Sequence, residues 1–203
     1  MKLNLIEKLA LNNPLRAAIQ THIETPMLQA MGTELPIEYA LEIGVGQGVG
    51  SGLIKQQFGA QKVLGLDLDP AMLKRAQQRH PSQRYLQADC SQLPLADNQF
   101  DGLFAFGVIH HVPDWRRAIK ELTRVAKPGA RFYSMEVFRS LICHPLWKRV
   151  LQHPQHDRFD QQQFIQVWQQ HGWRLEGSRR FTSGLGWQRL RYQPASVALH
   201  RVA

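Results

Sequence analysis

The spacing of apolar positions changes near Tyr39. Before it, Leu3, Ile6, Leu9 and Ala10 lie on one helical face, and Leu15, Ala18, Ile19 and Ile23 on another. This predicts helix over residues 3–31, broken near Asn12-Asn13-Pro14. Gly32 and Pro36 then punctuate the chain. From Tyr39 onward, short apolar runs alternate with helical spacing. Tyr39 to Ile43 reads as a strand, Gly48 to Phe58 as a helix, and Val63 to Asp67 as a second strand. Asp69 is placed to cap a helix with Pro70 at its first position. Arg84 to Ala88 is a weak third strand. Phe100 to Ile109 is apolar on both faces, as a buried parallel strand requires. Asp114 caps a helix carrying Trp115, Ala118, Ile119, Leu122 and Val125, which Lys127-Pro128-Gly129 should end, and Ala130 to Phe138 follows as strand five. Residues 140–158 are polar, His-rich and broken by Pro145 and Pro154. Phe159 to His171 reads as a helix stopped by Gly172. Trp173 to Phe181 and Trp187 to Tyr192 read as a terminal hairpin. The expected fold class is α/β, a mostly parallel sandwich with an antiparallel edge.

Composition narrows this little. A length of 203 residues suits one domain, and 43% hydrophobic residues is ordinary for a globular chain. No apolar run approaches the roughly 18 residues of a membrane span. The early charges of Met1 to Glu7 do not suit a secretory leader, and Cys90 and Cys143 imply no disulfide framework. A cytoplasmic chain is expected. The net charge of +9 favours anionic partners or simple solubility; its densest group is Arg179, Arg180, Arg189 and Arg191.

The candidate chemistry sits where strand one ends. In an open α/β sheet, ligands bind beyond the carboxyl ends of the strands. Gly44, Gly46 and Gly48 lie there, able to turn sharply and let a ligand approach the backbone. Their order, E-x-G-x-G-x-G, departs from the dinucleotide pattern, whose third glycine would fall at Val49. Glu42 suits a cationic ligand group and would repel a pyrophosphate. Asp67 ends strand two, 23 residues after Gly44, where a carboxylate can accept both ribose hydroxyls. Asp89 follows strand three and can accept from an adenine amino group. Cys90 either lies against the ring or is a packed core thiol.

Four ordered segments resemble the class I S-adenosylmethionine-dependent methyltransferases, in particular the small-molecule, type 11-like branch. They are Ala40 to Gly48, Gly65 to Leu73, Ala88 to Asp101, and Arg124 to Phe132. The likeness is strong over residues 38–137 and looser over 159–194. It implies a Rossmann-like three-layer sandwich whose seven-stranded sheet has an antiparallel last strand. It implies S-adenosyl-L-methionine as cofactor, held by Glu42, Gly44, Gly46, Asp67, Leu68, Asp89, Cys90 and Phe106. Phe106 departs from the small polar residue that relatives often carry near the methionine end.

A sulfonium methyl is already activated, so transfer calls for no metal. Positioning an acceptor in line supplies most of the rate, and an alcohol or phenol also gains from a base. His110 and His111 follow strand four, and Glu136 lies near the end of strand five. His111 and His110 are the candidate bases, with Glu136 orienting a ring; packing against Val112-Pro113-Asp114 is the structural alternative. His144, His153 and His156 lack closed zinc-site spacing and suit a loop or lid. The Asn-Pro-Pro-aromatic signature of one class of nucleic acid methyltransferases is replaced by Phe106-Gly107-Val108-Ile109.

The expected organisation is a single domain: helical cap 1–36, cofactor-binding core 37–138, lid-like insertion 139–158, and C-terminal helix and hairpin 159–203. The expected activity is methyl transfer to oxygen or carbon of a small molecule, anionic or partly apolar, with Leu28, Met31, Phe138, Leu141 and Trp147 as apolar lid candidates. An RNA methyltransferase and a non-catalytic S-adenosylmethionine-binding protein are the alternatives.

Overall fold

The computed structural model describes residues 13–33, 36–143 and 157–194. Seven strands form one sheet: β1 (Tyr39–Ile43), β2 (Lys62–Asp67), β3 (Arg84–Gln87), β4 (Phe100–Phe106), β5 (Ala126–Val137), β6 (Trp173–Thr182) and β7 (Leu185–Tyr192). Their spatial order is β3-β2-β1-β4-β5-β7-β6. The first five pair in parallel, and β7 runs antiparallel to both neighbours. The expected three-layer α/β sandwich with an antiparallel last strand is therefore present.

Strand β4 shows why the sheet needs two covers. Leu103 and Ala105 point into one core cluster, and Phe104 belongs with Phe106 to the other. The first cluster is closed by α5 (Trp115–Val125) and, beyond the short α6 (Arg139–Ile142), by α7 (Gln161–Gln170), packed through Ile119, Leu122, Phe164 and Trp168. Phe132 stacks on Trp168 with ring centroids 4.1 Å apart. Truncating such a buried ring to alanine costs about 3–5 kcal/mol. On the other side, α3 (Val49–Gln57) and the N-terminal helices bring Ile54 and Leu28 onto Tyr133 and Trp187. A further helix, α4 (Pro70–Arg79), begins as expected, with Asp69 accepting from the Ala71 N–H at 2.9 Å.

Three expectations change. First, β4 stops at Phe106 rather than Ile109. Gly107 takes φ +73, and Ile109–His111 form a 3-10 turn. Second, β5 already begins at Ala126, which pairs with Phe100. The ladder resumes at Arg131 opposite Gly102, so Lys127-Pro128-Gly129 lie in a bulge, not at a helix end. Proline has no N–H for the ladder, which favours interruption there. Third, the N-terminal helix turns its other face inward. It runs through α1 (Pro14–Ile19), a π turn (Gln20–Glu24) and α2 (Thr25–Gln29), capped at its start by Asn13. Leu15 is 69% exposed and Ile23 52%, whereas Gln20, Glu24 and Thr25 are buried. The first-piece apolar positions Leu3, Ile6, Leu9 and Ala10 lie outside the described residues. Among the described residues no helix is long and apolar enough to cross a membrane.

Candidate functional site

The glycine turn follows β1 directly. The N–H groups of Gly44 and Val45 both donate to the Leu66 carbonyl, at 2.8 and 3.0 Å, which ties the turn to the end of β2. Gly44 takes φ +69, and a Cβ there would stand 2.6 Å from Val108 Cγ1. Gly48 takes φ +83, and a Cβ there would stand 2.8 Å from the Ala76 backbone, so this glycine lets α3 and α4 approach. Gly46 takes φ +54 with nothing within 4 Å of a Cβ. That open space belongs to a cleft lined by Gly44, Gly46, Asp67, Leu68, Cys90 and Phe106, among others.

Asp67 anchors the neighbouring wall. One carboxylate oxygen accepts from the Gly46 N–H at 3.0 Å and the other from the Asp69 N–H at 2.9 Å. Burial raises its pKa above the usual carboxylate value, and these backbone N–H groups oppose the rise. Leu68 beside it is 38% exposed on the cleft rim. Cys90 also lines the cleft, and burial pushes its thiol up to about 12, so it is a neutral wall rather than a nucleophile. Asp89 is not on the cleft wall. It is exposed, and one oxygen accepts from the N–H and hydroxyl of Ser91, both at 2.8 Å.

Glu42 lies behind the turn, off the cleft wall. Strand alternation puts Leu41 and Ile43 in one cluster and Ala40 in the other, so Glu42 points with Ala40 toward α3. There it is 1% exposed and accepts a short hydrogen bond from the Ser51 hydroxyl. Burial pushes its pKa from the usual 4.5 to about 8, against the Ser51 bond, with Asp67 adding to the rise. The folded protein thus holds a proton that the unfolded chain has lost above about pH 4.5. Its contribution to stability is fully present below that pH and is lost as the pH rises through about 8. Unfolding in urea across pH 5–9 should show this slope, and Glu42→Gln should flatten it; an equal slope in both proteins would contradict it.

The far wall is built by a buried carboxylate. Glu136, at the end of β5, accepts from the N–H groups of Ile109 at 3.1 Å, His110 at 3.3 Å and Val108 at 3.5 Å. The ring Nδ1 of His110 lies 2.8 Å from the same carboxylate. Burial raises the Glu136 pKa, and the three N–H groups oppose it. On the other side, the buried Arg158 donates a short hydrogen bond to the His110 carbonyl. The expected His–Glu pair is thus formed by His110, which is 3% exposed and faces Glu136 rather than the cleft. His111, one residue on, lines the cleft with Val108 and Val112, its ring centroid 4.2 Å from that of His110.

Arg16 and Gln20 close the cleft from the N-terminal helix, and sequence reading did not single them out. They stand four residues apart on the inward face. The signal was partial: Arg16, Gln20 and Glu24 recur every four residues, the interval that puts side chains on one side of a helix. The apolar lid candidates lie elsewhere. Leu28 and Phe138 are fully buried core residues, Met31 packs on Gly177, and Leu141 packs on Gly184. Trp147, His144, His153 and His156 lie outside the described residues, as does most of the segment 139–158. Among the described residues, no group of three or more His, Cys, Asp or Glu side chains could hold a metal ion.

The family described as "Methyltransferase domain" matches residues 41–134. The chain is 36% identical over 113 residues to malonyl-[acyl-carrier protein] O-methyltransferase of Serratia marcescens, covering 56% of this chain and 43% of that protein. It is 32% identical over 119 residues to demethylmenaquinone methyltransferase of Paenarthrobacter aurescens, covering 55% and 46%. The chain thus spans less than half the length of these curated relatives. Among solved structures, a putative methyltransferase of Haloferax volcanii, in complex with the Trm112 methyltransferase activator, superposes with a TM-score of 0.75. That match has 15% identity and covers 95% of this chain and 100% of that one, a likeness of fold. Residues 41–134 thus match a methyltransferase-domain family of the type 11 branch, consistent with a class I S-adenosylmethionine-dependent methyltransferase, and S-adenosylmethionine is the cofactor of that family.

Proposed function

We propose that this chain transfers the methyl group of S-adenosylmethionine to a small-molecule acceptor, at oxygen or carbon, and works in the cytoplasm. The observation that carries the reading is the cleft between the Gly44–Gly48 turn and Asp67. The residues there fit the donor. Gly46 leaves open space at the backbone, and Asp67 keeps carboxylate lone pairs beyond the two N–H groups it accepts. Leu68 and Cys90 give flat apolar walls for adenine, with Phe106 and Gly44 toward the methionine end. Asp89 adds a contact only through its outward oxygen, and Glu42 acts through the shape of the turn.

When bound, the cofactor supplies an activated sulfonium methyl. An acceptor oxygen or carbon held in line would take that methyl as its bond to sulfur breaks, and the acceptor's proton would pass to a base or to water. His111 is the cleft-facing candidate for that proton. His110 and Glu136 hold the turn that carries it. A pocket wall of Phe106, Val108 and Val112, with Arg16 and His111, suits an acceptor that is partly apolar and anionic.

The RNA reading finds less support. Within the densest basic group, Arg189 is 5% exposed, pairs with Glu176 at 2.8 Å and donates to the Met31 carbonyl. Arg180 donates to Gln161 at 2.9 Å. Incubation with methyl-labelled S-adenosylmethionine and fractionated cell extract is the test. Label should enter the small-molecule fraction; label in RNA, or in no fraction, would overturn the proposal. In the labelled fraction, His111→Ala should lower turnover by about a hundredfold, within the usual range for a general base, with the His110→Ala loss accompanied by lower thermal stability. Wild-type rates for His111→Ala would remove it from catalysis.

A further inference from the structure

The N-terminal helix buries Leu28 in the core but, ahead of it, exposes Leu15 and Ile23 while Gln20 and Glu24 are buried. Arg16 and Gln20 line the cleft, and Arg16 does so where β4 ends, with Glu24 behind it. Arg16 Nη1 contacts Glu24 Oε2 at 3.0 Å, and Nη2 reaches the Phe106 carbonyl at 3.4 Å. The Arg16 side chain is 17% exposed and lines the cleft, whereas Glu24 is only 7% exposed and does not. The guanidinium therefore stands between a buried carboxylate and open cleft space. Asp67 and Asp69 lie on the cleft wall at the end of β2, so the cleft is acidic at one side and cationic at Arg16.

Glu24 is a weak counter-ion. Burial raises its pKa, Arg16 opposes the rise, and the nearby Glu136 adds to it. A planar guanidinium offers five N–H donors in a fork suited to a carboxylate. Two are engaged here, one of them in a long contact to a carbonyl.

We propose that Arg16 is a carboxylate-binding subsite at the Phe106 end of the cleft, with Glu24 as the internal carboxylate that competes for it. The assignment rests on the methyltransferase reading of the same cleft. Two carboxylates can reach it: that of the donor's amino-acid end, or one on the acceptor. The chemistry is shared, and paired ligands separate the sources.

S-adenosylhomocysteine carries the amino-acid end, and 5′-methylthioadenosine lacks it. Calorimetry with both gives an affinity ratio for wild type, Arg16→Met, Arg16→Lys and Glu24→Gln. If the donor supplies the carboxylate, Arg16→Met lowers the ratio by more than about tenfold, because a charged partner is lost, and Arg16→Lys restores part of it. Glu24→Gln raises the ratio by about threefold, since the competing charge is gone. A merely structural pair would give the opposite sign for Glu24→Gln, or weaken both ligands equally. If the ratio is unchanged in every variant, malonate is titrated into protein saturated with S-adenosylhomocysteine. Binding seen in wild type and lost in Arg16→Met assigns the subsite to the acceptor. An unchanged ratio together with malonate binding that is absent or insensitive to Arg16 overturns the proposal. Failure of wild type to bind either nucleoside would instead overturn the donor-site reading.

Discussion

Gly44→Ala should abolish measurable binding of S-adenosylhomocysteine, a loss of more than about a hundredfold, because displacements near 1 Å already carry penalties of that order. Two effects combine. The residue sits at φ +69, a conformation that side-chain-bearing residues adopt at a cost. The added methyl would also stand 2.6 Å from Val108 Cγ1. Val108 cannot retreat easily, since its N–H belongs to the turn gathered on the buried Glu136 carboxylate. The glycine turn must therefore move, and it moves at the point where Gly44 and Val45 hydrogen bond to Leu66. Gly46→Ala is the informative companion. It meets no protein atom within 4 Å but shares a left-handed φ of +54, so it should cost less stability than Gly44→Ala, and its loss of affinity combines that backbone strain with occupied ligand space. Calorimetry and thermal unfolding of both variants check this; Gly44→Ala binding at wild-type affinity would contradict it.

Asp67→Ala should weaken the same ligand by about a hundredfold. This carboxylate does two jobs, so its loss acts twice. It fixes the Gly46 and Asp69 N–H groups, and in the proposed donor site it would accept from the ribose hydroxyls. Hydrogen bonds to charged groups are each worth about 1.5–3 kcal/mol, so losing two to the ligand accounts for an effect of this size. Asp67→Asn should fall between the two, keeping one acceptor and gaining donors that ribose hydroxyls can use. Equal affinity of Asp67→Ala and wild type would remove Asp67 from the site.

The elements that define this cleft were legible because their signals are local. β1 ends in glycines, and Asp69-Pro70 opens α4 by a cap and a preset φ. Gly172 at φ +83 ends α7. The misread places depend on partners distant in sequence. The apolar run Phe100 to Ile109 reads as one long strand, yet it stops at Phe106, where Gly107 turns and Glu136, 26 residues beyond His110, collects the next N–H groups. Lys127-Pro128-Gly129 carries a helix-stop pattern, and the cross-strand pairing of Ala126 with Phe100 puts it in β5 instead.

The N-terminal helix is the most instructive departure. Leu15 and Ile23 share one predicted helical face with Ala18 and Ile19, and both are exposed. Arg16 and Gln20 line the cleft, and Arg16 meets there the Glu24 carboxylate and the Phe106 carbonyl, partners that local apolar spacing does not reveal. Local pattern and fold disagree at functional sites more than elsewhere. Glu42 is a milder case. Its place two residues before Gly44 was evident, but its direction toward Ser51 follows from the pleat of β1 and the position of α3.

A crystal structure of the protein soaked with S-adenosylhomocysteine tests whether the cleft between Gly44 and Asp67 holds the methyl donor. The expected result places the ribose hydroxyls on Asp67, the adenine between Leu68 and Cys90, and the sulfur near Phe106. Ligand bound elsewhere, or no ligand in the cleft at saturating concentration, would contradict the claim.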